Sequence, residues 1–515
     1  MSPAAPLGDE PGTISIGSTS FGSIAAKGSL VNTFQWLVNK VATAAAMLVI
    51  AHYLTPADYG VANQAIAITA FMVLFLPLTM GDVLIAHPYE LESLAPTAGR
   101  LALLIGIITG LLMVASIPIY LHVYRDYPAA WLGGLVLVMA ARPVLDAALV
   151  VPLARMRTGL QYRRIATIDG VVQLGATVAS LLMAMAGLRG ASLVAPQVAG
   201  TAVRALWYRR IAQSTNHGTY RSSSARVLMR AYLPAASAQY LHNVIVMLEI
   251  LVLGYVAGER QTGLFAFAFQ VAAQANTVVA YQLGSILQPI LGHLREDPQR
   301  QVRGFLRAQR MLGLICVPIS MTQAVLAEPL FRIAFPSDYA PAIPIFQVIS
   351  LAQAFYFATG PSMSCLRSQR RFTTFLAWQA AQCALSLPLY WIAASLWKDH
   401  GALGVALASA TGWAVSSPVV VWLCTRVAPR RQLMDVIAVF LKPWMLATPI
   451  FVVAWLVVQE LADFGRVGDV LSLVVVGPGA VLASLVAAHW FDEDMRALID
   501  KVFSALRARL RRRTS

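Results

Sequence analysis

Charged residues are scarce in this sequence of 515 residues: they make up 12% of it, against roughly 25% in typical soluble domains. The four cysteines form no CxxC pair, so neither a disulfide framework nor a metal site is expected. HExxH, GxSxG, Walker A and GxGxxG motifs are absent, which gives no reason to expect a cofactor. These absences exclude a soluble enzyme and a disulfide scaffold.

Apolar residues dominate instead. Hydrophobic side chains make up 58% of the chain, and the mean hydropathy is +0.66. A helix needs about 20 apolar residues to cross a bilayer, and the sequence contains fourteen such runs: 31–54, 61–86, 100–120, 131–152, 167–187, 190–208, 231–257, 263–291, 311–333, 343–366, 373–397, 402–424, 440–460 and 470–490. We therefore predict an all-α, polytopic membrane protein with about 14 transmembrane helices.

The basic residues support this count and give an orientation. The formal net charge is +15, and cytoplasmic loops normally carry the excess of Lys and Arg. With the N-terminus inside, the cytoplasmic segments hold 29 basic residues and the outer loops hold 6. A missed or extra span would destroy this alternation. The pattern therefore predicts that both termini are cytoplasmic.

The two halves of the chain resemble each other. The segment HYLTPADYGVANQAIA (52–67) and the segment GYVAGERQTGLFAFAFQ (254–270) each join two spans through a short polar turn, closed by Gly60 or Gly263. Repeated helical bundles around a midplane cavity are typical of transporters. We expect two six-helix lobes around a central cavity plus two C-terminal helices, divided into a disordered leader (1–27), an N-lobe (28–208), a basic linker (209–230), a C-lobe (231–424), the extra helices (425–490) and a tail (491–515).

The tail combines an apolar stripe at helical spacing with a cluster of arginines at 507–513. This pattern is typical of an amphipathic helix on a membrane surface. We therefore expect the tail to bind anionic inner-leaflet lipids, and its charge does not indicate nucleic acid. The leader lacks the basic and apolar regions of a signal peptide.

Polar residues follow one face of the first, seventh and eighth spans. Lipid cannot satisfy such groups, so they must face protein or water. Hydrogen bonding within a dry bundle is the alternative to a wet cavity, and three aligned stripes favour the cavity. The residues of these stripes that are expected to line the cavity are Asn32, Gln35, Asn39, Lys40, Gln239, His242, Asn243, Gln270, Gln274 and Tyr281. Arg142 of the fourth span is expected to line it as well.

Charged residues inside spans are costly and often functional. Lys40 lies near mid-span, where it could attract a diphosphate, although it could also extend to the inner surface. Arg142 and Asp146 are four residues apart and can pair on one helix face, so they are either a structural pair or part of the cavity. Arg204, Asp169 and Lys442 are expected to be interfacial anchors.

Four segments in order carry a resemblance to a known family: AHYLTPADYGVA (51–62), LVLGYVAGERQTGLFAFAFQ (251–270), ILQPILGHLREDPQRQVR (286–303) and LAEPLFRIAFPSDYAPAIPIFQVIS (326–350). They resemble the Wzx-type oligosaccharide flippases of the multidrug/oligosaccharidyl-lipid/polysaccharide exporter superfamily. The resemblance implies a non-enzymatic transporter of the bacterial inner membrane. Its substrate would be an undecaprenyl-diphosphate-linked oligosaccharide, and its partners would be the polysaccharide polymerase and export machinery for lipopolysaccharide or exopolysaccharide.

The same resemblance suggests ion-coupling candidates. Glu249 precedes LVLG where relatives commonly carry an Asp, and its alternative is a fixed structural carboxylate. Asp82 lies three residues after Thr79, which aligns with an Asp of many relatives, so the transfer of a coupling role is open. Asp146 is the third candidate. Two other functions remain open: an antiporter for small organic solutes, which would favour an acidic cavity, and a membrane polysaccharide polymerase or acyltransferase.

Overall fold

The computed structural model describes residues 38–73, 77–85, 90–159, 161–211, 220–294, 296–369, 371–397, 400–428, 433–493, 495–496 and 500. Within these residues the secondary structure is helical. The helices of the first half are α1 (Val38–Ile50), α2 (Pro56–Met72), α3 (Pro77–Ile85), α4 (Leu91–Val123), α5 (Ala129–Met139), α6 (Arg142–Thr158), α7 (Tyr162–Met185) and α8 (Ala191–Ile211).

The longest helix, α9 (Ser222–His293), begins the second half. It consists of two arms that meet at Gly258, whose φ of 76° and ψ of −176° suit glycine alone. The remaining helices are α10 (Pro298–Val325), α11 (Ala327–Ala334), α12 (Ala342–Tyr356), α13 (Thr359–Ser368), α14 (Phe372–Leu396), α15 (Gly401–Thr425), α16 (Leu433–Ala462), α17 (Gly465–Leu471) and α18 (Gly477–Phe491).

Within the described residues, each of the fourteen predicted spans coincides with a helix, an arm of α9 or a pair of consecutive helices. The first span is described only from residue 38, and the second lacks residues 74–76 and 86. Eight helical stretches in the described residues are long and apolar enough to cross a membrane, and two bent pairs, α2–α3 and α10–α11, bring the number to ten. The other four predicted spans are α1, α8, α14 and the second arm of α9. The count of ten treats the two arms of α9 as one stretch. The predicted all-α polytopic fold is confirmed.

Apolar packing divides between the two halves. One cluster that includes Met80 and Val150 lies mainly in the first half, and one that includes Phe305 and Val420 lies in the second. A third cluster joins the halves through α1, α9, α12 and α15. This distribution agrees with two lobes, whereas the exact domain boundaries stay a prediction.

The two resembling turns begin helices that meet at the predicted outer end. Thr55 and Asp58 form a reciprocal capping box, and Pro56 occupies the first turn of α2, so this turn fixes the start of the helix. From Pro56 onward, α2 runs against the second arm of α9. The local sequence thus positions one side of the contact between the lobes.

The contact itself is reciprocal. A Cβ atom on Gly60 would overlap the carbonyl oxygen of Glu259, and a Cβ atom on Gly263 would overlap that of Pro56. Each oxygen belongs to the residue four positions before the opposite glycine, so the two helices cross about a local two-fold axis. Only glycine lets two helix backbones approach this closely. We call this contact the outer crossing.

Aromatic rings surround the outer crossing. The ring of Tyr59, 1% exposed, packs edge-on against Phe267 at 5.4 Å and against Tyr339 at 6.1 Å. The Tyr339 hydroxyl donates a hydrogen bond to the Leu54 carbonyl oxygen at 2.7 Å. These contacts close one end of the space between the two halves, which is the end predicted to face outward.

The last two spans are attached to the second half by a charged cluster. Asp492, which follows α18, accepts a hydrogen bond from Lys442 of α16 at 2.7 Å and lies 3.6 Å from Arg310 of α10. Burial raises the pKa of the Asp492 carboxyl, but the hydrogen bonds from Lys442 and from the Met495 amide outweigh it, so this pKa lies below its ordinary value. Lys442, expected as an interfacial anchor, is part of this cluster.

Candidate functional site

A cavity of about 420 Å³ lies between the lobes, directly inside Tyr59. Its walls are formed by α1, α6, α7 and α8 of the first half and by the second arm of α9. This volume falls in the range of small-molecule sites. The cavity is therefore a candidate binding site within the helical bundle, and the outer crossing closes one end of it.

Polar side chains at helical spacing form one wall. The spacing of four and then three residues places Gln173, Thr177 and Ser180 on one face of α7, and the same spacing places Gln197, Thr201 and Arg204 on one face of α8. Gln173 and Gln197 are exposed although they lie inside spans. Since hydrocarbon cannot satisfy amides, this wall faces water or a ligand.

Two arginines make the wall basic. Arg142 and Arg204 both line the cavity and lie about 20 Å from the N-terminal ends of their spans at 1.5 Å per residue. Arg142 is 3.8 Å from Asp146, which confirms the predicted pairing on one helix face. Arg204 is 3.1 Å from Asp169, which also accepts a hydrogen bond from the Tyr208 hydroxyl at 2.8 Å.

Arg204, expected to be an interfacial anchor, lines the cavity, and its role as an anchor stays a prediction. Its position near the inner end of a span suggested a side chain extending to the surface. The polar residues of α7 and α8 were likewise missed. The signal that could have found them is the spacing of four and three residues in each helix, which is the same signal that identified the other stripes.

Several predicted residues do meet at the cavity. Lys40 Nζ of α1 donates a hydrogen bond to Gln274 Oε1 of α9 at 3.2 Å, and Gln274 lines the cavity. Gln270 also lines it, and its amide donates to Asn63 Oδ1 of α2 at 2.9 Å. These two bonds link the lobes. Asn39 is half-buried next to Lys40.

Other predicted residues are not brought to this cavity. Gln239, His242 and Asn243 lie half-buried on the first arm of α9, and the Gln239 amide donates to Asn243 Oδ1 at 3.2 Å. They are absent from the lining of the described cavity. Asn32, Gln35 and the side chain of Tyr281 lie outside the described residues.

Glu249 occupies a separate, buried position within the second half. It is 4% exposed, and its Oε1 accepts hydrogen bonds from Tyr390 of α14 at 3.1 Å and from Ser409 of α15 at 2.8 Å. No ion pair to Glu249 occurs among the residues that the structure describes. The hydrogen-bond partners of the Glu249 carboxyl are therefore hydroxyl groups of α14 and α15.

The two other acidic candidates differ in their surroundings. Asp82 of α3 has a side chain that is 69% exposed and lies 3.3 Å from Arg157. Exposed ion pairs of this kind contribute little to stability. Asp146 has a side chain that is 18% exposed and faces Arg142. Of the three acidic residues, only Asp146 adjoins the basic wall.

Comparison with known proteins agrees with this architecture. The profile of the family described as "Polysaccharide biosynthesis protein" matches residues 49–344, which is more than half of the chain. A search of curated protein sequences returns no match. Solved structures resemble the chain at low sequence identity.

Among these structures, the lipid II flippase MurJ in an inward closed conformation has a TM-score of 0.70 and 12% identity, covering 91% of this chain and 100% of its own. An inward-facing multidrug resistance MATE transporter has a TM-score of 0.58 and 13% identity, covering 78% and 95%. A transporter of the same superfamily from Pyrococcus furiosus has a TM-score of 0.50 and 12% identity, covering 80% and 94%.

The likeness to these structures concerns the fold, whereas the sequence profile concerns the family. The resemblance to polysaccharide exporters is confirmed by both. The chain is a multi-pass membrane protein that belongs to the polysaccharide biosynthesis protein family and has the fold of the multidrug/oligosaccharidyl-lipid/polysaccharide exporter superfamily.

Proposed function

We propose that the protein is a flippase. It moves undecaprenyl-diphosphate-linked oligosaccharide units from the cytoplasmic to the periplasmic leaflet of the bacterial inner membrane, for export of a surface or extracellular polysaccharide. The observation that carries this proposal is the basic, polar cavity between two lobes. Cations and amides inside a membrane suit a charged, hydroxylated head group, whereas the polyprenyl chain can remain in lipid.

The mechanism is alternating access. The head group enters the cavity from the cytoplasm while the outer crossing is closed, and Arg142, Arg204 and Lys40 attract its diphosphate. The outer crossing then separates, together with the bonds from Gln270 to Asn63 and from Lys40 to Gln274. The head group leaves on the periplasmic side. No covalent step and no cofactor is required.

Glu249 is the strongest candidate for coupling to an ion gradient. Its carboxyl is buried and bonded only by hydroxyl groups in the described residues, so a proton or a cation there would change the balance of charge within the second lobe. Asp146, next to Arg142, is the second candidate. Asp82 is the weakest, because its side chain is largely exposed.

Deletion of the gene tests the proposed function in cells. Cells without the protein are expected to accumulate lipid-linked oligosaccharide of normal structure on the cytoplasmic leaflet. Loss of a polymerase would instead leave single, lipid-linked oligosaccharide units on the periplasmic leaflet. Loss of an acyltransferase would change the structure of the glycan. Loss of an antiporter for organic cations would leave the lipid-linked pool unchanged, and the basic wall argues against such a substrate.

The exchange Lys40→Ala is expected to reduce polysaccharide export strongly without lowering the amount of protein in the membrane. Lys40 contributes a cation beside the cavity and one bond between the lobes. Lys40→Arg should retain part of the export, because it keeps the charge and changes the shape. Export and membrane protein level are measured in the deletion strain, and normal export by Lys40→Ala would remove Lys40 from the site.

The membrane orientation is a further part of the proposal. We expect both termini in the cytoplasm and the 55–60 and 336–341 turns outside. Cysteines placed at Ala57 and Ser337 should react with a membrane-impermeant maleimide added to intact cells, whereas a cysteine at Arg300 should react only after the cells are opened. The reverse pattern at any of the three positions would contradict the fourteen-span topology.

A basic tail on the inner face would follow from this orientation. Most of residues 491–515 lie outside the described residues. The proposal that the tail binds anionic lipids therefore rests on its sequence, as does association with a polymerase and the export machinery.

A further inference from the structure

Hydrogen bonds within α7 and α8 decide which groups the polar wall offers to a ligand. The Thr177 hydroxyl donates its hydrogen to the Gln173 carbonyl oxygen at 2.9 Å, and the Thr201 hydroxyl donates to the Gln197 carbonyl oxygen at 3.0 Å. A hydroxyl whose hydrogen is used in this way keeps its lone pairs as acceptors. Both threonines line the cavity, so their oxygens can serve there as acceptors.

The side-chain amide of Gln197 also donates a hydrogen to a carbonyl oxygen of its own helix. Its Nε2 donates to the Leu193 carbonyl oxygen at 2.9 Å, which orients the amide along its own helix. In the part of the chain that the structure describes, no hydrogen bond to the Oε1 atom of this amide occurs, so this oxygen can act as an acceptor. Three acceptors thus lie along one wall of the cavity, beside the donors of Arg142 and Arg204.

A sugar has the complementary chemistry. Each sugar hydroxyl donates one hydrogen and accepts others, whereas a diphosphate only accepts. Acceptor oxygens cannot bind a diphosphate, so the wall of threonine and glutamine oxygens and the two arginines suit different parts of one substrate. The wall can therefore recognise the glycan while the cations hold the charged group.

The wall also belongs to one lobe. Thr177, Gln197 and Thr201 all lie in the first half, and α7 packs closely on α8, where a Cβ atom on Gly200 would be 3.3 Å from Val172 Cγ1. The second arm of α9 supplies the opposite side of the cavity. When the lobes separate, the wall moves as one unit with the first lobe.

We infer that Thr177, Gln197 and Thr201 form a carbohydrate-recognition wall, which binds sugar hydroxyl groups of the transported lipid and keeps the glycan on the first lobe during the transition. This inference rests on the proposed function and deepens it. It assigns recognition of the uncharged sugar to α7 and α8, and recognition of the diphosphate to the cations.

Two lipid probes separate these roles. The first is lipid-linked oligosaccharide extracted from polymerase-deficient cells that carry the protein's own polysaccharide genes, and the second is undecaprenyl diphosphate without sugar. Binding of each to the purified full-length protein is measured by native mass spectrometry. Thr177→Val together with Thr201→Val keeps the side-chain shape and removes both acceptors, so the fold should be retained, as thermal unfolding can verify.

The double variant is expected to bind the glycosylated lipid roughly tenfold more weakly than the unsubstituted protein does, with unchanged affinity for undecaprenyl diphosphate. Thr167→Val is the matched control. Thr167 lies on the same helix and also donates to the carbonyl oxygen four residues before it, but it does not line the cavity, so both affinities should be unchanged.

Three results with the variants would overturn the inference. The first is that the double variant binds the glycosylated lipid as tightly as the unsubstituted protein does. The second is that the double variant binds both lipids more weakly by the same factor. The third is that Thr167→Val weakens binding of the glycosylated lipid as much as the double variant does. If the unsubstituted protein binds neither lipid, the proposed function fails and the inference fails with it. If it binds both lipids with equal affinity, only the inference fails.

Discussion

Replacement of Gly60 or Gly263 by alanine is expected to abolish transport, with the cavity left open to the outside. The added methyl group would overlap a backbone carbonyl oxygen on the opposite helix, and a backbone cannot move aside as a flexible side chain can. Overpacking of this kind costs about 1–3 kcal/mol. This free-energy penalty falls only on the state in which the outer crossing is closed. The population of that state relative to the open one should therefore drop by about 5- to 150-fold.

Cysteine labelling measures this change. In a variant without native cysteines, Ser180→Cys places a thiol on the cavity wall, where an impermeant maleimide from outside should react faster when Gly60→Ala is added. Gly134→Ala and Gly412→Ala are matched controls, because a Cβ atom at either position has no neighbour within 4 Å. Normal transport and unchanged labelling in Gly60→Ala would show that the outer crossing is not a gate.

Glu249→Gln is expected to abolish gradient-driven transport while substrate still binds. The exchange keeps the shape and the acceptor that faces Tyr390 and Ser409, but it removes the group that can gain or lose a charge. Transport by vesicles under an imposed proton or sodium gradient should therefore fall to the rate seen without a gradient. Any pH dependence due to this carboxyl should vanish as well.

The control for this variant is Glu328→Gln, which changes an exposed glutamate paired with Arg332 at the outer end. That exchange should leave coupling intact. A structural role for Glu249 makes a different prediction: Glu249→Gln would lower the thermal unfolding temperature and retain its response to the gradient. Gradient-driven, pH-dependent transport at the unsubstituted rate would remove Glu249 from the coupling mechanism.

The order of the helices could be predicted from the sequence because both signals behind it are local. Apolar runs of span length and the alternation of basic loops depend on neighbouring residues only, and each predicted span coincides with a helix in the described residues. The turns at Gly60 and Gly263 were identified in the same way. Their reciprocal contact was not, because it depends on the distance between two segments about 200 residues apart in sequence.

The site was predicted less completely. Lys40, Gln270 and Gln274 were found because polar stripes on the first and eighth spans are long. The stripes on α7 and α8 contain three residues each, and Arg204 resembled an anchor near a helix end. Glu249 is hydrogen-bonded by Tyr390 and Ser409, which lie 141 and 160 residues away from it in sequence. No local sequence pattern connects these residues.

Movement of substrate in vesicles tests the proposed flippase most directly. The purified protein is reconstituted with labelled undecaprenyl-diphosphate-linked oligosaccharide confined to one leaflet, and a membrane-impermeant lectin or glycosidase reports its arrival on the other. The proposal predicts that the labelled oligosaccharide crosses with its bond to the lipid intact, and that Gly60→Ala vesicles behave like protein-free vesicles. A rate in wild-type vesicles equal to that of protein-free vesicles, or cleavage of the sugar–lipid bond, would contradict it.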